Sequence, residues 1–294
     1  MEAVKLTEAW FQGALSVEYG DGWLKPWRLP HHQAPLFASP DNSLMGKGEM
    51  PSGVRLRFET DATTVELAFK PLAAEPLKRD HFFDLTLNND LIASAPSPAG
   101  GTQARFVDLP AGPKVLEIWL PTSSPVALLA LRIPAGCYAR PAPDTRPRWV
   151  TYGSSLTHCV RAHSPARTWP AIVARRCNLH LTSLGFGGQC HLDPMVGMAI
   201  RELPADIITL KLGINTVSGS VNARTYKALA IGLVRIIRER HPETPMALIS
   251  PIGYPPREIT PNVVGMTMPQ MRADLQDAWK RLCDMGDKHL WYFD

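Results

Sequence analysis

Three short stretches carry the residue types of an acyl-transfer centre: Gly153-Ser154-Ser155-Leu156, Gly185-Phe186-Gly187-Gly188-Gln189 and Gly213-Ile214-Asn215-Thr216. A serine at a strand-to-helix turn lifts its hydroxyl above a sheet and offers its own backbone N–H beside it. A glycine lets a backbone N–H approach a bound oxygen with no side chain in between. An asparagine amide donates where an aspartate only accepts. Donors of these kinds, gathered on one oxygen, form an oxyanion hole, each worth roughly 3 kcal/mol in the transition state. Taken singly the stretches are ordinary, because small residues are common at strand-helix turns and asparagine at caps and Asx-turns. Their succession is what points to chemistry. No serine here lies in a GxSxG elbow, so the α/β-hydrolase reading has little support.

Each stretch needs a strand before it, and the second half of the chain supplies strands alternating with helices. "RWVTYGS", "HLTSLGF" (180–186), "DIITLKLG" (206–213), "PMALISPI" (245–252) and "HLWYFD" (289–294) read as strands. "ARTWPAIVARRC" (166–177, starting late because of Pro170), "DPMVGMAIREL" (193–203), "ARTYKALAIGLVRIIRER" (223–240) and "PQMRADLQDAWKRLCDMG" (269–286) read as helices, with Asp193 as N-cap and Pro194 at the first helical position. Such alternation predicts a parallel sheet covered on both faces, with function at the carboxyl ends of its strands. The three stretches follow the first, second and third of those strands.

The first half has a different period. "GVRLRFET" (53–60), "TVELAFK" (64–70), "HFFDLTLN" (81–88), "TQARFVDL" (102–109), "KVLEIWL" (114–120) and "VALLALRI" (126–133) mostly alternate apolar and polar residues between turns such as "SPAGG" and "PAGP". This predicts an all-β sandwich, with no helix between residues 40 and 135. "YARPAPDTRPRW" (138–149) has three prolines, three arginines and no apolar period, and reads as a linker. The boundaries expected are therefore a sandwich over 1–140, a linker over 141–148 and an α/β domain over 149–294.

On these residues the chain resembles the SGNH, or GDSL-type, hydrolases. "GSSL" is similar to their first block, GDSL, with Ser154 in place of Asp; "GFGGQ" resembles the second block and "GIN" the third, GxN. The resemblance implies a flavodoxin-like α/β fold with Ser155 as nucleophile. It further implies an oxyanion hole made by the N–H groups of Ser155 and Gly188 and by Asn215 Nδ2. A sandwich ahead of such a domain is also similar to a bacterial subgroup that includes carbohydrate esterases. In the family the base is the histidine of a DxxH block after the fifth strand, and no DxxH occurs in 151–294. Three explanations stand side by side: a chain cut short at its C-terminus, a base recruited from elsewhere, or a pocket that binds without hydrolysing. His158, one helical turn after Ser155, and His191, between the glycine-rich loop and Asp193, are the candidates for base or rim. His163 lacks a metal partner at a workable spacing, and His180, His241 and His289 lie away from the active edge. Tyr254 and Arg257 in "SPIGYPPRE" are candidate substrate contacts. Cys159 and Cys190 neighbour the site as packed thiols. His31, His32, Trp10, Trp23 and Trp27 read as core packing ahead of a sugar platform.

Composition narrows the classes. The 294 residues are 45% hydrophobic and 20% charged, with five cysteines and no CxxC pair, which argues against a disulfide framework and a zinc knuckle. Residues 1–150 hold 15 basic and 16 acidic side chains and 151–294 hold 16 and 11, without the basic, aromatic-interleaved runs of a nucleic-acid binder. No apolar run approaches the roughly 20 residues of a membrane span, and the first residues lack a secretory signal, so a cytoplasmic location is expected. The function expected is a serine esterase acting on a small-molecule or carbohydrate ester, such as an acetyl or short acyl ester, with no cofactor or metal. A non-hydrolytic SGNH-fold ligand- or glycan-binding protein, and an acyltransferase using the same serine, are the alternatives. Nothing in the sequence sets the oligomeric state.

Overall fold

The computed structural model describes residues 1–72, 81–98 and 100–294, and Ala99 of the SPAGG turn lies outside them. The chain divides into two units. One comprises Met1–Ala34, Met45–Arg146 and Cys159–Ser183; the other comprises Pro35–Leu44, Pro147–His158 and Leu184–Asp294.

Alternating segments of the first unit pair into two antiparallel sheets. One runs in the order Ser16–Gly20, Trp23–Trp27, Val126–Ile133, Val65–Pro71, Gln103–Phe106, with Glu2–Val4 also on Val126–Ile133. The other runs Ala139–Pro141, Arg55–Thr60, Lys114–Trp119, His81–Leu87, Asp90–Ser97, with Phe11–Gln12 on Arg55–Thr60. Because successive side chains point to opposite faces, each sheet turns every second residue inward. Leu67, Phe69 and Leu131 of one meet Leu56, Phe58, Phe83 and Ile118 of the other in one core. The rings of Phe69 and Phe83 approach to 4.6 Å. Burying each such side chain is worth about 1.5–3 kcal/mol.

Three features depart from expectation. Asp90–Ser97 is a strand although its small residues carry little β signal. It is set by the two-residue turn Asn88-Asn89, both at positive φ (51° and 69°), a combination asparagine tolerates and hairpins favour. A helix covers Ser43–Gly48 where none was expected. The segment read as a linker is built into the sandwich: Ala139–Pro141 pairs with Arg55–Thr60, and Asp144 is buried against Arg55, Arg146 and His180. Its prolines and arginines mimic a linker composition, but its charges are consumed by pairing.

The α/β sheet has strands β1 (Arg148–Gly153), β2 (His180–Gly185), β3 (Ile207–Lys211), β4 (Met246–Ile249) and β5 (Leu290–Phe293) in the order β2-β1-β3-β4-β5. β1 with β3, β3 with β4 and β4 with β5 pair in parallel. This is the flavodoxin-like order, and it reverses direction at β1, so the loops after β1 and β3 flank a crevice at the carboxyl ends of the strands. The helices are α1 (Ser155–His158), α2 (Trp169–Arg176), α3 (Pro194–Glu202), α4 (Tyr226–Arg238), α5 (Pro255–Glu258) and α6 (Met268–Asp284). α4 buries Tyr226, Ala230, Leu233, Val234 and Ile237, and α6 buries Met268, Met271, Leu275, Ala278 and Leu282, the stripes expected at helical spacing. Thr168 caps α2 by accepting from the Ala171 N–H at 3.3 Å, which explains its late start before Pro170. Asp193 occupies the N-cap position of α3, yet its carboxylate bonds no helix N–H. Burial instead pushes that carboxyl's pKa up. No helix among the described residues is long and apolar enough to cross a membrane.

Candidate active site

β1 delivers the serine pair. Gly153 leaves the strand where a Cβ would come within 2.3 Å of Thr157 Oγ1. Ser154 is fully buried, and its carbonyl accepts the N–H groups of Thr157 and His158 at 3.0 and 2.9 Å, which closes α1. Ser155, the next residue, is exposed. Its N–H makes no hydrogen bond among the described residues. The sequence thus spends one serine on the turn and presents the other.

The glycine-rich loop after β2 packs on this turn by backbone contact. A Cβ on Gly185 would lie 2.2 Å from the His158 nitrogen, so only glycine fits there. A Cβ on Gly187 would stand 3.6 Å from Ser155 Cβ, which places that residue directly against the serine. The N–H groups of the loop are then accounted for one by one. Phe186 donates to Gly153 O at 2.8 Å, Gly187 to His158 Nδ1 at 3.1 Å, Gln189 to Phe186 O at 3.0 Å and Cys190 to Asn215 Oδ1 at 3.0 Å. Among the described residues the Gly188 N–H has no acceptor, and Gly188 sits at φ +77° with open space where a side chain would be. The residue that β2's loop exposes is the one whose donor is uncommitted.

Asn215, after β3, is tied to the same loop. Because its Oδ1 accepts from Cys190, the amide is oriented and its NH2 is left to donate. Gly213 ahead of it, at φ +111°, allows the turn. Ser155, Gly187, Cys190 and Asn215 therefore form one connected cluster across the carboxyl ends of β1, β2 and β3.

The two candidate histidines are engaged in holding this cluster. His158 is fully buried, and its Nδ1 accepts from Gly187, so it supports the loop from below. His191 faces Gly188 O with Nε2 at 3.0 Å and Ser220 Oγ with Nδ1 at 2.8 Å. That pattern puts the ring proton on Nε2 and leaves Nδ1 accepting from the hydroxyl. No described hydrogen bond joins the Ser155 hydroxyl to either ring. Tyr254 is exposed ahead of α5, its N–H bonded to Glu258 Oε1 at 2.9 Å, and Arg257 donates to Pro261 O at 3.4 Å. No described contact brings either to Ser155, Gly188 or Asn215.

Two neighbours complete the surroundings. Cys190 is buried, and burial pushes its thiol up to about 12, so it stays protonated and packs. Lys211, the last residue of β3, was not singled out from sequence, although a lysine ending a strand just before Gly213-Ile214-Asn215 is a readable signal. Its Cβ would lie 3.4 Å from one on Gly153, and burial lowers its ammonium pKa. It lines a cavity of about 590 Å3 with Ser250, Glu258, Arg272 and Asp294. Among the described residues, no three His, Cys, Asp or Glu side chains gather so as to hold a metal ion.

Comparison with known proteins places this arrangement. The profile of the GDSL-like lipase/acylhydrolase family matches residues 146–294, and that of the SsfX3 N-terminal domain matches residues 9–128. A salicylyl-acyltransferase, SsfX3, from a tetracycline biosynthetic pathway is 32% identical, covering 100% of this chain and 84% of its own, with a TM-score of 0.91. A putative GDSL-like lipase from Bacteroides ovatus (15% identity, 96% and 83% covered, TM-score 0.75) shares the fold. So does a family two carbohydrate esterase from Cellvibrio japonicus (14%, 99% and 87%, 0.67). No curated protein matches the chain. With half of its length in the family profile and a 32% identical relative along all of it, the chain belongs to the GDSL-like lipase/acylhydrolase family.

Proposed function

We propose that this protein transfers an acyl group from an ester through an acyl-enzyme on Ser155, with water as the ordinary acceptor. Ser155 Oγ adds to the ester carbonyl carbon and gives up its proton to a base. The carbonyl electron pair moves onto oxygen, where the N–H groups of Ser155 and Gly188 and the Asn215 NH2 receive it. Collapse of this intermediate expels the alcohol with the proton; water then adds to the acyl-serine and releases the carboxylic acid. The observation that carries the reading is the donor accounting: beside the exposed serine, the uncommitted donors are those an oxyanion needs. The carbohydrate esterase and acetyl xylan esterase neighbours favour a carbohydrate ester with a short acyl group. A second reading, transfer to an alcohol in place of water, is favoured by the likeness to a salicylyl-acyltransferase along the whole chain.

The test is p-nitrophenyl acetate turnover by the protein and its Ser155→Ala variant, with and without added alcohols. Loss of about 1,000-fold or more in Ser155→Ala, at unchanged melting temperature, supports the reading. Ester formation with an added alcohol outrunning hydrolysis selects the transferase. No turnover by any form overturns both and favours a binding role for the pocket.

A further inference from the structure

The glycine pair beside the serine forms the middle of a turn that its own residues leave free to take two forms. Gln189 N–H donates to Phe186 O at 3.0 Å, and of the two residues between them only Gly188 has a positive φ, +77°, which makes residues 186–189 a type II turn. Rotating the Gly187-Gly188 peptide by half a revolution converts such a turn to type I with its ends almost unmoved. With no Cβ at either residue, both forms are sterically open. Acyl transfer needs one of them, because the rotation exchanges the Gly188 N–H for the Gly187 carbonyl and would set an acceptor against the developing oxyanion.

The peptides on either side are pinned, each by a histidine. Gly187 N–H, on the peptide from Phe186, donates to His158 Nδ1 at 3.1 Å. Gly188 O, on the peptide to Gln189, lies 3.0 Å from His191 Nε2, and since a carbonyl only accepts, Nε2 carries the ring proton. His191 is itself anchored, with Nδ1 2.8 Å from Ser220 Oγ in the loop that carries Asn215. The peptide between the pins has neither its N–H nor its C=O taken among the described residues. Fixing both flanks removes the play in the Gly187 ψ and the Gly188 φ by which that middle peptide would swing. His191 thereby spends both ring nitrogens on the frame, and neither is left to receive the Ser155 proton.

We propose that His191 is a positioning residue: through Gly188 O and Ser220 it holds the Gly187-Gly188 peptide in the form that offers its N–H to the oxyanion. The proposal rests on the acyl-serine reading. p-Nitrophenyl acetate kinetics and melting temperatures of His191→Ala, His191→Gln, Ser220→Ala and Ser155→Ala test it. His191→Ala is expected to lower kcat about tenfold, with KM within about twofold and a near-native melting temperature. His191→Gln returns an N–H donor near the Nε2 position and is expected to recover kcat to within about threefold of the parent, and Ser220→Ala to lose about threefold. An amide cannot replace a base, so His191→Gln as inactive as His191→Ala overturns the proposal. So does a loss that only follows a lowered melting temperature, or an undiminished kcat in His191→Ala while Ser155→Ala is inactive. Turnover that survives in Ser155→Ala, or is absent from every form, overturns the acyl-serine reading and this role with it.

Discussion

At the residue scale, the account turns on which groups are committed and which are left over. Asn215 separates the acceptor role that its amide has from the donor role proposed for it. Asn215→Asp keeps the acceptor for Cys190 N–H and replaces the donor, so kcat should fall about 100- to 1,000-fold with a near-native melting temperature. Asn215→Ala should lose both. The glycines of the second loop differ in kind. Gly185→Ala drives a Cβ into the His158 backbone and should cost about 3 kcal/mol. Gly188→Ala meets open space and should cost about 1 kcal/mol for its left-handed backbone. Urea denaturation of the two variants checks the contrast. Cys190 gives a pH prediction. Its folded thiol titrates near 12, above the unfolded value, so its contribution to stability is complete below about pH 8.5. As pH rises towards 12 the unfolded chain loses this proton first and the contribution fades. Thiol labelling of the native protein at pH 8 should modify exposed Cys177 and spare Cys190.

At the scale of elements, the strand-helix succession of the second half was legible because the relevant signals are local. Strand-helix alternation, proline at the start of α2 and α3, and apolar stripes in α4 and α6 each state their element without reference to distant residues. The three candidate loops could be placed at strand ends for the same reason, since glycine, serine and asparagine there mark where a backbone can expose donors. The contacts of His158 and His191 were not legible, because they depend on which ring nitrogen meets the Gly187 N–H or the Ser220 hydroxyl, each 29 residues away. The segment after the sandwich was misjudged for a related reason: its charges look solvated until their partners are known. Burial would raise the Asp144 carboxyl, but hydrogen bonds from Arg146 and His180 and the charges of Arg146 and Arg55 outweigh it and hold the group well below the usual range. This stabilisation is present above about pH 4 and is lost as the carboxylate protonates at lower pH. Asp144→Asn should cost about 3–5 kcal/mol, because it leaves Arg55 buried with one carboxylate fewer, and thermal melts at neutral pH measure it.

At the scale of the whole molecule, one chain joins an antiparallel sandwich to a flavodoxin-like sheet, and both parts are matched by the acyltransferase SsfX3. Fold alone does not choose between water and an alcohol as acceptor, since esterases and an acyltransferase share it. What both chemistries require is the same covalent intermediate on the same residue. The central claim is therefore tested by mixing the protein with p-nitrophenyl acetate, quenching in acid within one turnover and mapping the acetyl group by peptide mass spectrometry. A single acetyl on the peptide carrying Ser155, absent from Ser155→Ala, is the expected result. Acetylation elsewhere with Ser155 unmodified, together with undiminished turnover by Ser155→Ala, would contradict it.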